Sequence, residues 1–173
     1  MHTDSVMDIT APAFGAVMGC LSDTFTTTPW KPVHADYHDG RYTGLYDVDL
    51  EHDADPRAPH KLLVHGSTLY QIAEYHALSA CLFSYYNGHH EALSHIPRMS
   101  WEEARRRFLI TSVDLRLHKP VFERSVPVTF TFEDVTDKYE SHQLVFFTGH
   151  VDVADGSHRA VLGGCLNLRD DLI

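Results

Sequence analysis

His60, Lys61, His65, Gly66, Ser67, Thr68 and Glu74 fall in one short stretch, where a polar loop runs through a glycine into a long apolar segment. An imidazole accepts a proton near neutral pH, which suits His60 to general-base work. The first turn of a helix leaves backbone N–H groups without helical partners, and Gly66, Ser67 and Thr68 stand where such groups can hold a carbonyl oxygen. Thr68 adds a hydroxyl able to orient a water. Ser67 and Thr68 are equally typical helix caps, and one residue can do both jobs. His65 is placed to line a pocket or to tie the loop by a hydrogen bond. Glu74 and His76 lie further along the same segment, where buried polar groups need partners. They are expected to face a dimer interface or to line a channel.

These residues need a scaffold, and the spacing of apolar residues predicts one. The segment from about Ser67 to Tyr86 is apolar nearly all round, which predicts a buried helix. Asn87-Gly88 is its stop signal. Before it, Ala11 to Phe25 reads as a short lead-in helix. Trp30–Tyr37 and Arg41–Leu50 read as strands joined by a turn at Asp39-Gly40. On the second strand, Tyr42, Gly44, Tyr46, Val48 and Leu50 alternate to one side. Two prolines make 51–59 an irregular loop. After the long helix, Ser100 with Glu103 forms a capping box that opens a short helix to about Phe108. Strands follow at about 110–117, 126–135, 142–153 and 159–168, the last two joined by Asp155-Gly156. The aromatic residues Tyr70, Tyr75, Phe83, Tyr85 and Tyr86 read first as core, with some of them as candidates to bound a pocket and limit its length. The order predicts an α+β hotdog fold, an antiparallel sheet wrapped around one long buried helix. It forms a single domain over 1–173, with 1–29 as a lead-in helix and loop. A sheet with exposed edges that covers one side of its helix predicts a homodimer or a higher homo-oligomer.

The 173 residues carry a net charge of −10 with 43% apolar residues, which fits one soluble domain and argues against a nucleic-acid surface. Arg105, Arg106, Arg107, Arg116, Lys119 and Arg124 could still form a local patch for an acidic partner. Three scattered cysteines suit neither a disulfide framework nor a zinc site. With an acidic N-terminus and no long apolar run, they point to the cytoplasm and away from a membrane. Among 14 histidines, His89-His90 beside Glu91 are adjacent rather than on one helical face, so no metal is read there. No nucleotide or cofactor motif is present, and none is expected.

Several segments, in order and from about Trp30 onward, resemble the FcoT-like thioesterase family of hotdog proteins. They are Val33–Tyr37, His60–Thr68, Arg98–Glu103, Ser112–Pro120 and Ala160–Leu168. The resemblance implies acyl thioester substrates on acyl carrier protein or CoA. It is nearest to a subgroup that adds glycine to the β-carbon of a 2-enoyl thioester and then hydrolyses the thioester. The product is an N-carboxymethyl-3-amino acid, made in β-amino-acid natural-product pathways. Where the long-chain hydrolases of the family carry a tyrosine and an amide side chain, this chain has His60 and Thr68. A histidine favours chemistry that needs a true base.

On this reading His60 and Thr68 are catalytic. Gly66 and Ser67 with His65 hold the acyl thioester, as the enolate of addition and the tetrahedral intermediate put charge on the same oxygen. Lys61 and Arg41 are candidates for the glycine carboxylate, with Arg116 and Lys119 of a partner chain as substitutes. Tyr46 and Glu74 complete the substrate-binding set, and Glu74 is placed where dehydratase-type hotdogs hold an acid. Three rivals remain open: a simple acyl thioesterase, a hotdog dehydratase or hydratase, and a non-catalytic acyl-binding protein.

Overall fold

The computed structural model describes residues 11–22, 27–51 and 63–169. Helix α1 (Phe14–Ser22) precedes a hairpin of β1 (Trp30–His38) and β2 (Arg41–Val48). The long helix α2 (Gly66–Asn87) follows. Short helices α3 (Glu91–Ser94) and α4 (Trp101–Arg107) lead into β3 (Phe108–Leu117) and β4 (Ser125–Lys138). A helical turn α5 (Tyr139–His142), then β5 (Leu144–Val153) and β6 (His158–Asn167), complete the chain. The strands form one antiparallel sheet in the order β1-β2-β4-β5-β6-β3. The helix α2 lies against its inner face.

Local chemistry sets the boundaries. Asp39 and Gly40 both take positive φ, the geometry a two-residue hairpin requires. Gly88 closes α2 in the left-handed conformation, and the N–H of His89 reaches the Ser84 carbonyl at 3.1 Å. Ser100 caps α4 by accepting from the Glu103 N–H at 3.3 Å. Only half of the capping box forms, because the Glu103 carboxylate bonds Arg107 at 3.0 Å instead. Two short helices, α3 and α5, carry no strong sequence signal. Phe108 begins β3 rather than ending α4, and His142 belongs to α5 rather than to β5.

The alternation expected of β2 holds, with Tyr42, Gly44, Tyr46 and Val48 all buried. The expectation of a helix apolar on every side needs correction. Ser67, Tyr70, Gln71, Glu74 and Leu78 lie outside the buried set. At steps of three and four residues they form one open stripe along α2. The stripe runs beside β3, whose outer edge pairs with no strand among the described residues. The opposite edge strand, β1, is interrupted by Pro32 and a register shift beside it, features that discourage further pairing.

Inside, the core closes around polar pairs. His76 is fully buried, and its Nε2 lies 2.8 Å from the Tyr42 carbonyl oxygen, which can only accept. The proton therefore sits on Nε2, and Nδ1 accepts from the Tyr46 hydroxyl at 2.8 Å. The Tyr42 hydroxyl meets Ser84 at 2.5 Å, and the Tyr75 hydroxyl donates to the Met18 carbonyl, tying α1 to α2.

Burial lowers the His76 pKa to about 4, because the charged imidazole would lose its water shell. An unfolded chain takes up this proton near pH 6.5, so stability is full above that value and falls as pH drops towards 4. Between pH 7 and pH 4.5 the expected loss attributable to this one residue is about 2 kcal/mol. Denaturant unfolding at pH 7 and pH 4.5 measures it. His76→Gln keeps a donor for Tyr42 and an acceptor for Tyr46, so its stability is expected to fall less steeply over the same interval. Equal slopes in the two proteins would refute the assignment.

Candidate functional site

The start of α2 is shaped by residues on both sides of it. Val64 bridges to Val121, its N–H reaching the Val121 carbonyl at 2.8 Å, which fixes the approach to the helix. His65 takes extended geometry as the cap residue, and its side chain gives no capping hydrogen bond. The first helical bond runs from the Leu69 N–H to the His65 carbonyl at 3.0 Å, so the Gly66 and Ser67 N–H groups precede the helical ladder. The helix dipole adds partial positive charge at the same point. Gly66 leaves room for a close approach: a Cβ there would sit 2.6 Å from Leu117 Cδ1.

A groove of about 640 Å³ opens along this face. Gly66, Ser67, Tyr70, Gln71 and Glu74 of α2 form one wall, and Val113, Asp114, Leu115 and Leu117 of β3 form the other, apolar but for Asp114, whose carboxylate lies 3.7 Å from Arg116. The arrangement offers backbone donors at one end, a carboxylic acid further along and an apolar track between them. Burial raises the Glu74 pKa from 4.5, since its carboxylate is partly removed from water. Such an acid exchanges protons nearer to neutrality than an exposed one.

The structure brings together Gly66, Ser67 and Glu74 from the expected set and separates others. Thr68 is buried at 3% exposure and does not line the groove. His65 stands at the helix start, half-buried and outside the groove lining. Tyr46 is fully buried and bonded to His76, so it belongs to the core rather than to a pocket wall. His76 likewise lines neither a channel nor an open face. Arg41 sits at the β1–β2 hairpin, in a separate depression with Thr129 and Asp152. His60 and Lys61 lie outside the described residues.

Gln71 is not legible as a site residue, and Tyr70 reads first as core and only second as a pocket boundary. Tyr70, read as core, is 40% exposed and faces the groove. The signal that could have found them is the spacing Ser67, Tyr70, Gln71, Glu74, which puts polar groups on one helix face. Another groove, of about 550 Å³, holds His90, Glu91, His95 and Asp137 over Phe132. Its best-defined contact is the His95–Asp137 pair at 3.3 Å. No group of three or more His, Cys, Asp or Glu among the described residues could hold a metal ion. No described helix is long and apolar enough to cross a membrane.

No family model and no curated protein matches the chain. Solved structures do match. A presumptive thioesterase from Syntrophus aciditrophicus superposes with a TM-score of 0.61 at 13% identity, covering 88% of this chain and 95% of that one. A thioesterase from Haemophilus influenzae gives 0.57 at 10% identity, covering 92% and 94%. A mutant thioesterase from Pseudomonas aeruginosa gives 0.57 at 13% identity, covering 93% and 97%. At such identities the likeness is one of architecture. With its six-stranded antiparallel sheet and the long helix α2 packed against it, the chain has the α+β hotdog fold.

Proposed function

We propose that this protein is an acyl thioester hydrolase whose reaction centre is the α2–β3 groove, and that on 2-enoyl thioesters it adds glycine before hydrolysis. The observation that carries the reading is the groove itself. The helix start at Gly66 and Ser67 and the carboxylic acid of Glu74 line one wall, facing Val113, Asp114, Leu115 and Leu117 of β3. In hydrolysis, the thioester oxygen lies on the Gly66 and Ser67 N–H groups. A Glu74 carboxylate, supplied by a second copy of the chain, takes a proton from water as the oxygen of that water attacks the carbonyl carbon. The tetrahedral oxyanion stays on the helix start until the C–S bond breaks, and Glu74 returns the proton to the departing thiolate.

Glycine addition uses the same oxygen site. The base takes a proton from the glycine ammonium, and the amine nitrogen bonds to the β-carbon. The enolate charge rests on the same two N–H groups, and a proton then returns to the α-carbon. The resemblance of His60–Thr68 and the later segments to the glycine-adding subgroup supports this finer step, with His60 as its base and Thr68 beside the oxygen site. Lys61 is the nearer candidate in sequence for the glycine carboxylate. Three cysteines scattered along the chain, without the spacing of a disulfide framework, suit a cytoplasmic location.

A homodimer is part of the proposal. Glu74 lies eight positions past Gly66, about 12 Å along the helix axis. One carbonyl group cannot touch both on the same chain. The open stripe of α2 and the edge of β3 that pairs with no strand among the described residues form a continuous surface. A second copy placed there with its α2 antiparallel would set its Glu74 against Gly66.

Mass spectrometry of products from a short 2-enoyl thioester, with and without glycine, tests the reading. An N-carboxymethyl-3-amino acid formed only with glycine is the expected result, with His60→Ala losing the adduct. Free enoic acid regardless of glycine would leave hydrolysis alone, and a 3-hydroxy acid would indicate a hydratase.

A further inference from the structure

Gln71 stands between the two ends of the reaction groove. It lines the same wall as Gly66, Ser67 and Glu74, five positions past Gly66 and three before Glu74. Side chains three apart on a helix are neighbours, with Cβ atoms about 5–6 Å apart. One water can join the ends of two such side chains, because two hydrogen bonds meeting at the angle of a water molecule span roughly 4.6 Å.

The Gln71 amide has a defined orientation. The Trp30 indole N–H donates to Gln71 Oε1 at 3.3 Å. An indole N–H can only donate, so the amide oxygen faces it and the NH2 group is turned away. Trp30 is itself fixed, buried at 5% exposure, with its ring against Tyr46 at 5.7 Å and Tyr75 at 5.0 Å between centroids. Satisfying the indole N–H accounts for the amide oxygen and leaves the NH2 group unexplained. No hydrogen bond uses that group among the described residues. Glu74 likewise makes no ion pair or hydrogen bond among the described residues. Two polar groups, adjacent on one face and both without a protein partner, thus look into the same groove.

We infer that Gln71 is a catalytic residue of the hydrolysis, its NH2 group holding the attacking water beside the Glu74 carboxylate of the same chain, with Trp30 as its positioning residue. The inference rests on the thioester reading above. The Nε2–H donates into one lone pair of the water and leaves the other for the carbonyl carbon. As the O–C bond forms, one proton of the water passes to Glu74, and the departing thiolate later takes that proton. A carboxylate alone fixes the water by one bond; the amide adds a second and so sets the line of attack.

Hydroxylamine separates the held water from the rest of the site. It attacks a thioester carbonyl without a base and still places the oxyanion on the helix start. Each turnover then ends as a carboxylic acid or as a hydroxamic acid, and the ratio of the two products cancels general damage to the fold or to substrate binding. The probes are butanoyl-CoA and butanoyl acyl carrier protein, saturated so that no addition at the β-carbon competes. Gln71→Met keeps the side-chain length and removes the amide, and Trp30→Phe keeps a buried ring and removes the N–H. The acid-to-hydroxamate ratio is expected to fall about tenfold in Gln71→Met and about threefold in Trp30→Phe. In a Glu74→Gln background the Gln71 change is expected to add less than about twofold, because both residues act on one water.

An unchanged ratio in Gln71→Met overturns the inference, and so does a further tenfold fall on the Glu74→Gln background, which would make the two residues independent. A fall in Gln71→Met with none in Trp30→Phe overturns the role of the indole. If wild type forms neither product above the uncatalysed rate from either probe, the hydrolase reading falls and takes this assignment with it. Turnover with unchanged ratios rejects the water site alone.

Discussion

Glu74→Gln is expected to lower kcat for thioester hydrolysis by roughly 10²–10⁴-fold, the range lost when a positioned proton acceptor is removed. The amide has nearly the same volume, and the position is half-buried on the open stripe of α2. Stability is therefore expected to hold, because the variant also removes a carboxylate whose ionised form burial disfavours. Thermal unfolding at neutral pH checks that point. The pH profile gives the sharper test. A base must be ionised to act, so kcat/KM should rise with pH through the Glu74 pKa. Burial places that limb above the ordinary value of 4.5. In Glu74→Gln the limb should vanish along with the rate. A limb that survives in Glu74→Gln and disappears in His60→Ala would transfer the base to His60.

The prominence of Glu74 shows how far the sequence can be read. The run from Ser67 to Tyr86 predicts the long helix, and Asn87-Gly88 predicts its end, because both signals are local and strong. The hairpin at Asp39-Gly40 is legible for the same reason: positive φ at both turn positions favours these residue types. The stripe Ser67, Tyr70, Gln71, Glu74 was hidden by Tyr70, whose type suggests burial although its position on the helix is open. Tyr46 failed in the opposite direction. Alternation on β2 correctly turned it inwards, but inwards meant His76 and the core rather than a pocket. A residue's face follows from periodicity, whereas what occupies the space opposite depends on tertiary packing. Arg41 illustrates the same limit, since its strand was readable and its separation from the helix start was not.

Gly66→Pro is expected to lower kcat by about 10²–10³-fold, the usual cost of losing one oxyanion donor. Proline removes the N–H while suiting the first position of a helix. The preceding His65 already has the extended geometry, ψ 149°, that a following proline requires. The nearest obstacle is Leu117 Cδ1, the far end of a half-exposed flexible side chain. Folding is thus expected to survive, with circular dichroism and thermal unfolding close to wild type. Paired with Glu74→Gln, this variant decides how the site is built. If Gly66 of one chain works with Glu74 of the other, a dimer of one Gly66→Pro chain and one Glu74→Gln chain contains one site with neither change. Random mixing of equal amounts makes about half the dimers mixed, so about a quarter of wild-type activity should return. Neither variant alone should exceed a few per cent of wild type. If both groups act within a single chain, every chain in the mixture carries a lesion and mixing restores nothing. Unfolding and refolding the two variants together, followed by a hydrolysis assay, separates these outcomes. The recovery of a quarter would establish that the 12 Å between Gly66 and Glu74 along α2 is bridged across the dimer axis.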